Sequence, residues 1–223
     1  MQEKIQSAPT IVYPTSDGKP MAETDIHRDL MVVFIWMLKQ HFQDKRDVYV
    51  SGNLLIYYEK GEPRKSISPD VFVVFGVEKK ERLNYLTWEE GHTPDFVLEI
   101  ASRRTYRKDL GPKKELYASV LGVKEYFIYD PLGQIVPSFI GYSLVETKYR
   151  EMEFTNGRFP SEILGLELGE QDGRLGLYNP NTAQWVNPPS EQIELEVTAR
   201  KEVEAELAEA LEEIERLRAN RDN

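Results

Sequence analysis

Two carboxylates stand where burial makes them costly. Asp70 opens the run PDVFVVF and Glu99 lies near the end of PDFVLEI, and both runs are otherwise nearly all apolar. An acid among Val, Phe and Leu loses hydration that only a cation, a metal ion or several hydrogen bonds can restore. Paired acids at adjacent strand ends can hold a Mg²⁺-type ion, which prefers oxygen ligands and keeps waters for chemistry. The plainer reading is that Asp70 caps a turn after Pro69 and Glu99 pairs with a nearby arginine. The residues alone leave both readings open.

Directly after Glu99 the chain continues Ile-Ala-Ser-Arg-Arg-Thr-Tyr-Arg-Lys-Asp, in which Arg103, Arg104, Arg107 and Lys108 form its densest basic cluster. Beside two acids, such a cluster could neutralise phosphates with the salt-sensitive grip expected for nucleic acid. Equally, it could be a solvated loop at the start of a helix. Asp95 shares the Pro-Asp pattern with Asp70 but begins its strand, which suits a turn or cap. His27, His41 and His92 match no ligand spacing, and with no cysteine a structural zinc site is not expected. A Gly-Lys-Ser/Thr phosphate loop and a G-x-S-x-G elbow are both missing from the sequence, so nucleotide hydrolysis and serine chemistry have no support.

The elements that must position these side chains follow from periodicity. From Glu23 to Phe42, Ile26, Leu30, Val33, Phe34, Met37, Leu38 and Phe42 recur at three- and four-residue spacings, predicting an amphipathic helix with Thr24 as its N-cap. DVYVS and NLLIYYE read as strands joined near Gly52-Asn53, and the continuous apolar run PDVFVVF as a strand covered on both faces. PDFVLEI repeats that pattern, a second helix is expected across Leu110 to Leu121, and KEYFIYD makes the next strand. Strand, helix, strand implies a parallel crossover. From Ile135 to about Trp185 the short strands and turns predict an antiparallel extension of the sheet, ended by Asn187-Pro-Pro.

Composition bounds the rest. The 223 residues, 40% hydrophobic and 11% aromatic, suit one globular core with an appendage. No apolar run approaches the roughly 20 residues that span a bilayer. The opening MQEKIQSAPTIVYP lacks the basic patch and apolar stretch of a signal peptide, so a cytoplasmic location is expected. The net charge of -10 argues against a generally basic DNA-binding surface. Residues from Glu191 onward hold 11 acids and 5 bases, a net of -6, which leaves -4 for the core. In that tail Val203, Leu207, Ala210, Ile214 and Leu217 follow the four-three spacing of a coiled-coil seam, which predicts a homodimer. Three regions are therefore expected: an irregular segment 1–22, a core 23–189 and a C-terminal coiled-coil helix 190–223.

Taken in order, the helix with TDIHRDL, then VYVSGNLLIYYEKGEP, SPDVFVVFGV, Tyr85 to Trp88, PDFVLEIASRRT, KKELYASVLGVKEYFIYDP and LGLYNPNTAQW resemble the Uma-two family of bacterial endonucleases. The resemblance runs over about Glu23 to Pro189, and its strength is the order of several motifs. That family is similar to the PD-(D/E)xK nucleases. The implied fold is α/β, a restriction-endonuclease-like central mixed sheet flanked by helices, with a divalent metal, Mg²⁺ or Mn²⁺, held by one Asp and one Glu. Those positions are Asp70 and Glu99, and the main-chain carbonyl of Ile100 could complete the shell. The parent motif places its lysine two residues after the glutamate, where this chain has Ala101. Family members supply the lysine from the next helix, and the matching position is Lys113 in KKELY. Ser102 and Thr105 match the family's Ser-x-x-Thr, whereas Arg103 stands where proline is common.

Helical geometry separates Lys113 from its neighbour. At about 100° per residue, Leu110, Leu116, Tyr117, Val120 and Leu121 define an apolar face whose centre lies about 24° from Lys113 and about 76° from Lys114. Lys113 is expected to point toward the sheet, where Asp70 and Glu99 can receive its ammonium. The expected reaction is therefore hydrolysis of DNA, with Asp70, Glu99 and Lys113 as catalytic residues and Ser102, Arg103, Arg104, Thr105, Arg107 and Lys108 against nucleic acid. Its rival is a scaffold without turnover that binds nucleic acid or assembles through its C-terminal helix, which the acidic tail favours.

Overall fold

The computed structural model describes residues 11–16, 24–194, 198, 200, 201 and 203. The chain divides into two compact units, Met1–Val186 and Asn187–Asn223.

In the first unit the long helix α1, Asp25–His41, begins where Thr24 accepts a 3.3 Å hydrogen bond from the His27 amide, as the N-cap reading required. Strands β1 (Val48–Ser51), β2 (Ile56–Tyr57), β3 (Ser66–Ile67), β4 (Val71–Phe75) and β5 (Tyr85–Leu86) follow, then the one-turn helix α2 (Thr87–Glu90) and β6 (Phe96–Ile100). A continuous helical stretch, here α3, is assembled from Tyr106–Lys108, Asp109–Lys113, Lys114–Leu116 and Tyr117–Leu121. Strands β7 (Glu125–Tyr129), β8 (Phe139–Val145), β9 (Lys148–Glu151), β10 (Arg158–Ser161), β11 (Leu166–Gln171), β12 (Arg174–Asn179) and β13 (Gln184–Trp185) complete the unit.

The central sheet has six strands in the order β1-β4-β6-β7-β8-β9. Its β6–β7 pair is parallel and bridged by α3, the expected crossover, and its other pairs are antiparallel. Strand side chains alternate between faces, and each face has its own core. Val71, Val73, Phe96, Leu98, Phe127 and Tyr129 point to the side covered by Phe34, Met37 and Leu38 of α1. Phe72, Val74, Val97, Tyr126 and Ile128 point to the side covered by Tyr117 and Leu121 of α3. A mixed sheet with a helix on each face is the restriction-endonuclease-like architecture anticipated above.

Several expectations are corrected by this arrangement. The runs around β1 and β2 enter different sheets: β1 pairs with β4, while β2 lies between β3 and β5 in a three-stranded sheet. Only β8 and β9 extend the central sheet. Strands β10 to β13 form a separate antiparallel sheet, whose Phe159, Leu166, Leu168, Leu175 and Leu177 join the α1-side core. Both predicted helical faces contain an outlier, since Ile26 is 50% exposed and Val120 is 55% exposed. Ile26 lies in the first turn of α1. Val120 falls in a π-helical turn, where the wider winding breaks the 100° count.

In the second unit residues 189–194 are helical. Of the seam residues, Val203 is exposed, while Leu207, Ala210, Ile214 and Leu217 lie outside the described residues, and with them the predicted coiled coil and dimer. Among the described residues no helix is long and apolar enough to cross a membrane.

Candidate active site

Antiparallel pairing sets the first carboxylate beside the second. Val71 of β4 lies opposite Leu98 of β6, so Asp70, one residue before β4, comes alongside the end of β6. Asp70 Oδ2 accepts the Ile100 N–H at 2.7 Å. On its other oxygen, Oδ1 lies 3.3 Å from Nε2 of His27, in the first turn of α1. The Asp70 backbone is held close to the loop after β1. A Cβ on Gly52 would lie 2.0 Å from the Asp70 carbonyl oxygen, so only glycine fits there. The adjacent Asn53, at φ 48°, donates its N–H to the Pro69 carbonyl at 2.8 Å.

Strand alternation decides the surroundings of Glu99. It shares the face of Val97 and therefore looks at α3. There Tyr117 donates its hydroxyl to Oε1 at 2.5 Å and the Lys113 ammonium lies 2.8 Å from Oε2. One turn earlier on α3, Asp109 Oδ1 is 3.3 Å from the same ammonium. The turn Asp109–Lys113 is π-helical and contains Pro112. Proline has no N–H and cannot continue the regular helical ladder, and a widened turn accommodates it. Tyr126 of β7 donates its hydroxyl to the Asp109 carbonyl at 2.9 Å, tying this turn to the sheet.

Burial dominates the electrostatics. It pushes the Glu99 carboxyl up to about 8, a rise that Lys113 opposes and that Asp70 and Asp109 reinforce. Burial raises Asp109 too, against the favourable pull of Lys113 and of the Thr105 hydroxyl. For Lys113, desolvation favours the neutral amine, but Glu99, Asp109 and Asp70 together outweigh it and hold the ammonium above the ordinary lysine range. Tyr117 is driven well above its usual value by burial and then by Glu99, so it remains a proton donor to that carboxylate.

Asp70, Glu99, Asp109, Lys113 and His27 all line one cavity of about 250 Å³. Among the other predicted residues, Ile100, Ser102, Arg104 and Thr105 line it as well. Arg103, Arg107 and Lys108 are exposed and do not line it. Ser102 and Thr105 bond largely to each other, with the Ser102 N–H on Thr105 Oγ1 at 3.0 Å and the Thr105 N–H on Ser102 Oγ at 3.3 Å. They shape the turn into α3 at least as much as they line the cavity. Lys114 lies over the Tyr142 ring at 3.6 Å from its centroid, away from the acids. Asp95 is structural: Oδ2 accepts the Phe75 N–H at 2.9 Å and Oδ1 meets Lys124 at 2.7 Å. A larger hollow of about 560 Å³ at the β1 edge, lined by Lys39, Tyr49, Arg82 and others, holds no pair of acids.

Sequence reasoning missed His27, Asp109 and Tyr117. The second and third had a readable signal, since both lie four residues from Lys113 on one helix, but His27 comes from a helix distant in sequence.

The donors fit a hard divalent cation of the kind that takes few protein ligands. Two carboxylates, Asp70 and Glu99, face a cavity with room for waters and a phosphate. Among the described residues no three His, Cys, Asp or Glu side chains form a metal cage. Mg²⁺ characteristically accepts this arrangement, binding through one or two carboxylates plus substrate phosphates and keeping several waters.

A crystal structure described as "a putative nuclease belonging to DUF820" from Anabaena variabilis ATCC 29413 is similar at 17% identity and a TM-score of 0.49, covering 70% of this chain and 85% of that one. No curated protein matches the chain in sequence. The family model Uma2, described as "Putative restriction endonuclease", matches residues 5–171. That match takes in both carboxylates, Lys113 and the whole central sheet, and the chain belongs to this Uma2 family of nucleases, whose substrates are nucleic acids.

Proposed function

We propose that this protein is an endonuclease that hydrolyses phosphodiester bonds of DNA with Mg²⁺ or Mn²⁺ as its cofactor. The observation that carries the reading is Lys113, whose ammonium meets Glu99 inside the cavity that Asp70 also lines. Asp70, Glu99 and the main-chain carbonyl of Ile100 are the groups that would hold the ion. When bound, such an ion supplies Lewis acidity at the phosphate and a more acidic water.

The chain's own residues do the rest. His27 and the Ile100 N–H fix the Asp70 carboxylate, and Tyr117 fixes Glu99, so neither has to be ordered when substrate arrives. Lys113, only a quarter exposed, presents a fixed positive charge where the pentavalent phosphate becomes more negative. Arg104 at the cavity, with Arg103, Arg107 and Lys108 on the exposed surface beyond it, neutralises flanking phosphates and makes binding salt-dependent.

The test is to incubate the purified protein with plasmid, single-stranded DNA and RNA, each with Mn²⁺, Mg²⁺ or EDTA. DNA cleavage that stops in EDTA is expected. Cleavage surviving EDTA overturns the metal requirement, and cleavage of RNA alone overturns the substrate. No cleavage of anything would leave a nucleic-acid-binding or assembly module.

A further inference from the structure

We propose that Asp109 is a positioning residue that offers Lys113 a second seat, so that the ammonium can leave Glu99 without leaving the cavity when Glu99 takes a divalent cation. The inference rests on the reading of Asp70 and Glu99 as the cation-binding pair.

The difficulty it resolves is visible in the distances. Lys113 Nζ lies 2.8 Å from Glu99 Oε2, so the ammonium occupies an oxygen that the cation needs. Two positive charges on one buried carboxylate repel, and the ammonium must go elsewhere. Lysine is suited to moving, because its charge sits on a flexible four-carbon stem.

Asp109 is the place for it. The residue is 1% exposed and lines the same cavity. Neither of its carboxylate oxygens receives a well-aligned hydrogen bond among the described residues, although the Thr105 hydroxyl is near enough to favour the charged form. Its counter-charge is Lys113, at 3.3 Å rather than in close contact. A buried carboxylate left in that condition is costly. The cost is relieved in a second state, with the ammonium drawn fully onto Asp109. The backbone favours that state as well: Tyr126 anchors the Asp109 carbonyl, and the π-helical turn keeps Asp109 and Lys113 on the same side of α3.

Removing Asp109 should therefore pin Lys113 on Glu99 and make the ammonium compete with the cation. Removing Lys113 should end that competition, whatever residue 109 is. Mn²⁺ binding is measured by calorimetry without nucleic acid on the unchanged protein, Asp109→Asn, Lys113→Met and the double variant, with folding checked by circular dichroism. Asp109→Ser replaces the asparagine variant if that one does not fold. Asp109→Asn is expected to weaken Mn²⁺ binding about tenfold, and the double variant to bind as tightly as Lys113→Met, a coupling the cycle isolates.

A double variant as weak as Asp109→Asn would make Asp109 a ligand and overturn the seat. Asp109→Asn binding Mn²⁺ as the unchanged protein does would overturn it too, while the metal centre stood. An unchanged protein that bound no Mn²⁺ would overturn the metal centre and this inference together.

Discussion

Glu99 and Glu125 lie on neighbouring strands of one sheet, both almost fully buried, and they meet opposite surroundings. Glu125 begins β7 on the α1 side, where the Ser161 hydroxyl and the Ile163 N–H, 3.2 Å away, donate to it. These neutral donors tie the central sheet to the end of β10 and the segment that follows it. Glu99 looks the other way, toward α3, and meets an ammonium, a phenol and a cavity shared with Asp70. Burial raises the carboxyl of both. A buried acid therefore does not identify a site by itself. A charged partner and an open cavity make Glu99 a candidate for chemistry, while a closed set of neutral donors makes Glu125 a rivet.

The sharpest test of that contrast is the counter-charge. Lys113→Met is expected to lower DNA cleavage by about 10²-fold or more, the usual loss when a charge aimed at a transition state is removed. Lys114→Met should stay within about twofold of the unchanged rate, since its ammonium rests on the Tyr142 ring and does not line the cavity that holds Asp70 and Glu99. Initial rates of plasmid nicking decide it, and equal losses in the two variants would take Lys113 out of the mechanism.

Next comes the pair of glutamates. Glu99→Gln should abolish Mn²⁺ binding in calorimetry and leave the fold intact, because the amide still accepts from Tyr117. Glu125→Ala should leave metal binding alone but cost about 1–3 kcal/mol in denaturant unfolding, having stripped the Ser161 and Ile163 donors of their acceptor. Metal binding lost equally in both would erase the distinction.

The last comparison is of stability against pH in the metal-free protein, an effect spread over several pH units. An unfolded glutamate releases its proton near 4.5, while Glu99 holds its own up to about 8. Between those values the folded state binds more protons, so stability falls as pH rises through the window, by at most about 1.4 kcal/mol per pH unit. Glu99→Gln should flatten that slope, read from urea midpoints at pH 5, 6, 7 and 8. An undiminished slope would mean that Glu99 is not the group responsible.

Much of this was legible in the linear chain because its signals are local. Thr24 and the apolar spacing of α1, the doubly covered runs of β4 and β6, and the acids at their ends all depend on residues within a few positions of one another. Even the choice of Lys113 over Lys114 follows from helical spacing, although a second π-helical turn, Tyr117–Leu121, takes Val120 off the predicted face. What could not be read was pairing between distant segments. β1 and β2 adjoin in sequence yet join different sheets, and β10 to β13 fold over the α1 side instead of lengthening the central sheet. Long-range pairing depends on which apolar faces remain to be covered, and no short window contains that.

The site divides along the same line. Residue types and spacing alone singled out Asp70, Glu99 and the basic loop as candidates, because a carboxylate in an apolar strand is conspicuous wherever the chain goes. Only the tertiary structure brought His27 to Asp70, seated Gly52 against the Asp70 backbone and placed the Asp109 carboxylate beside Lys113. It also separated Glu99 from Glu125, two acids in similar apolar runs, since the partner each one meets is set by the face of the sheet it occupies and by the element packed on that face.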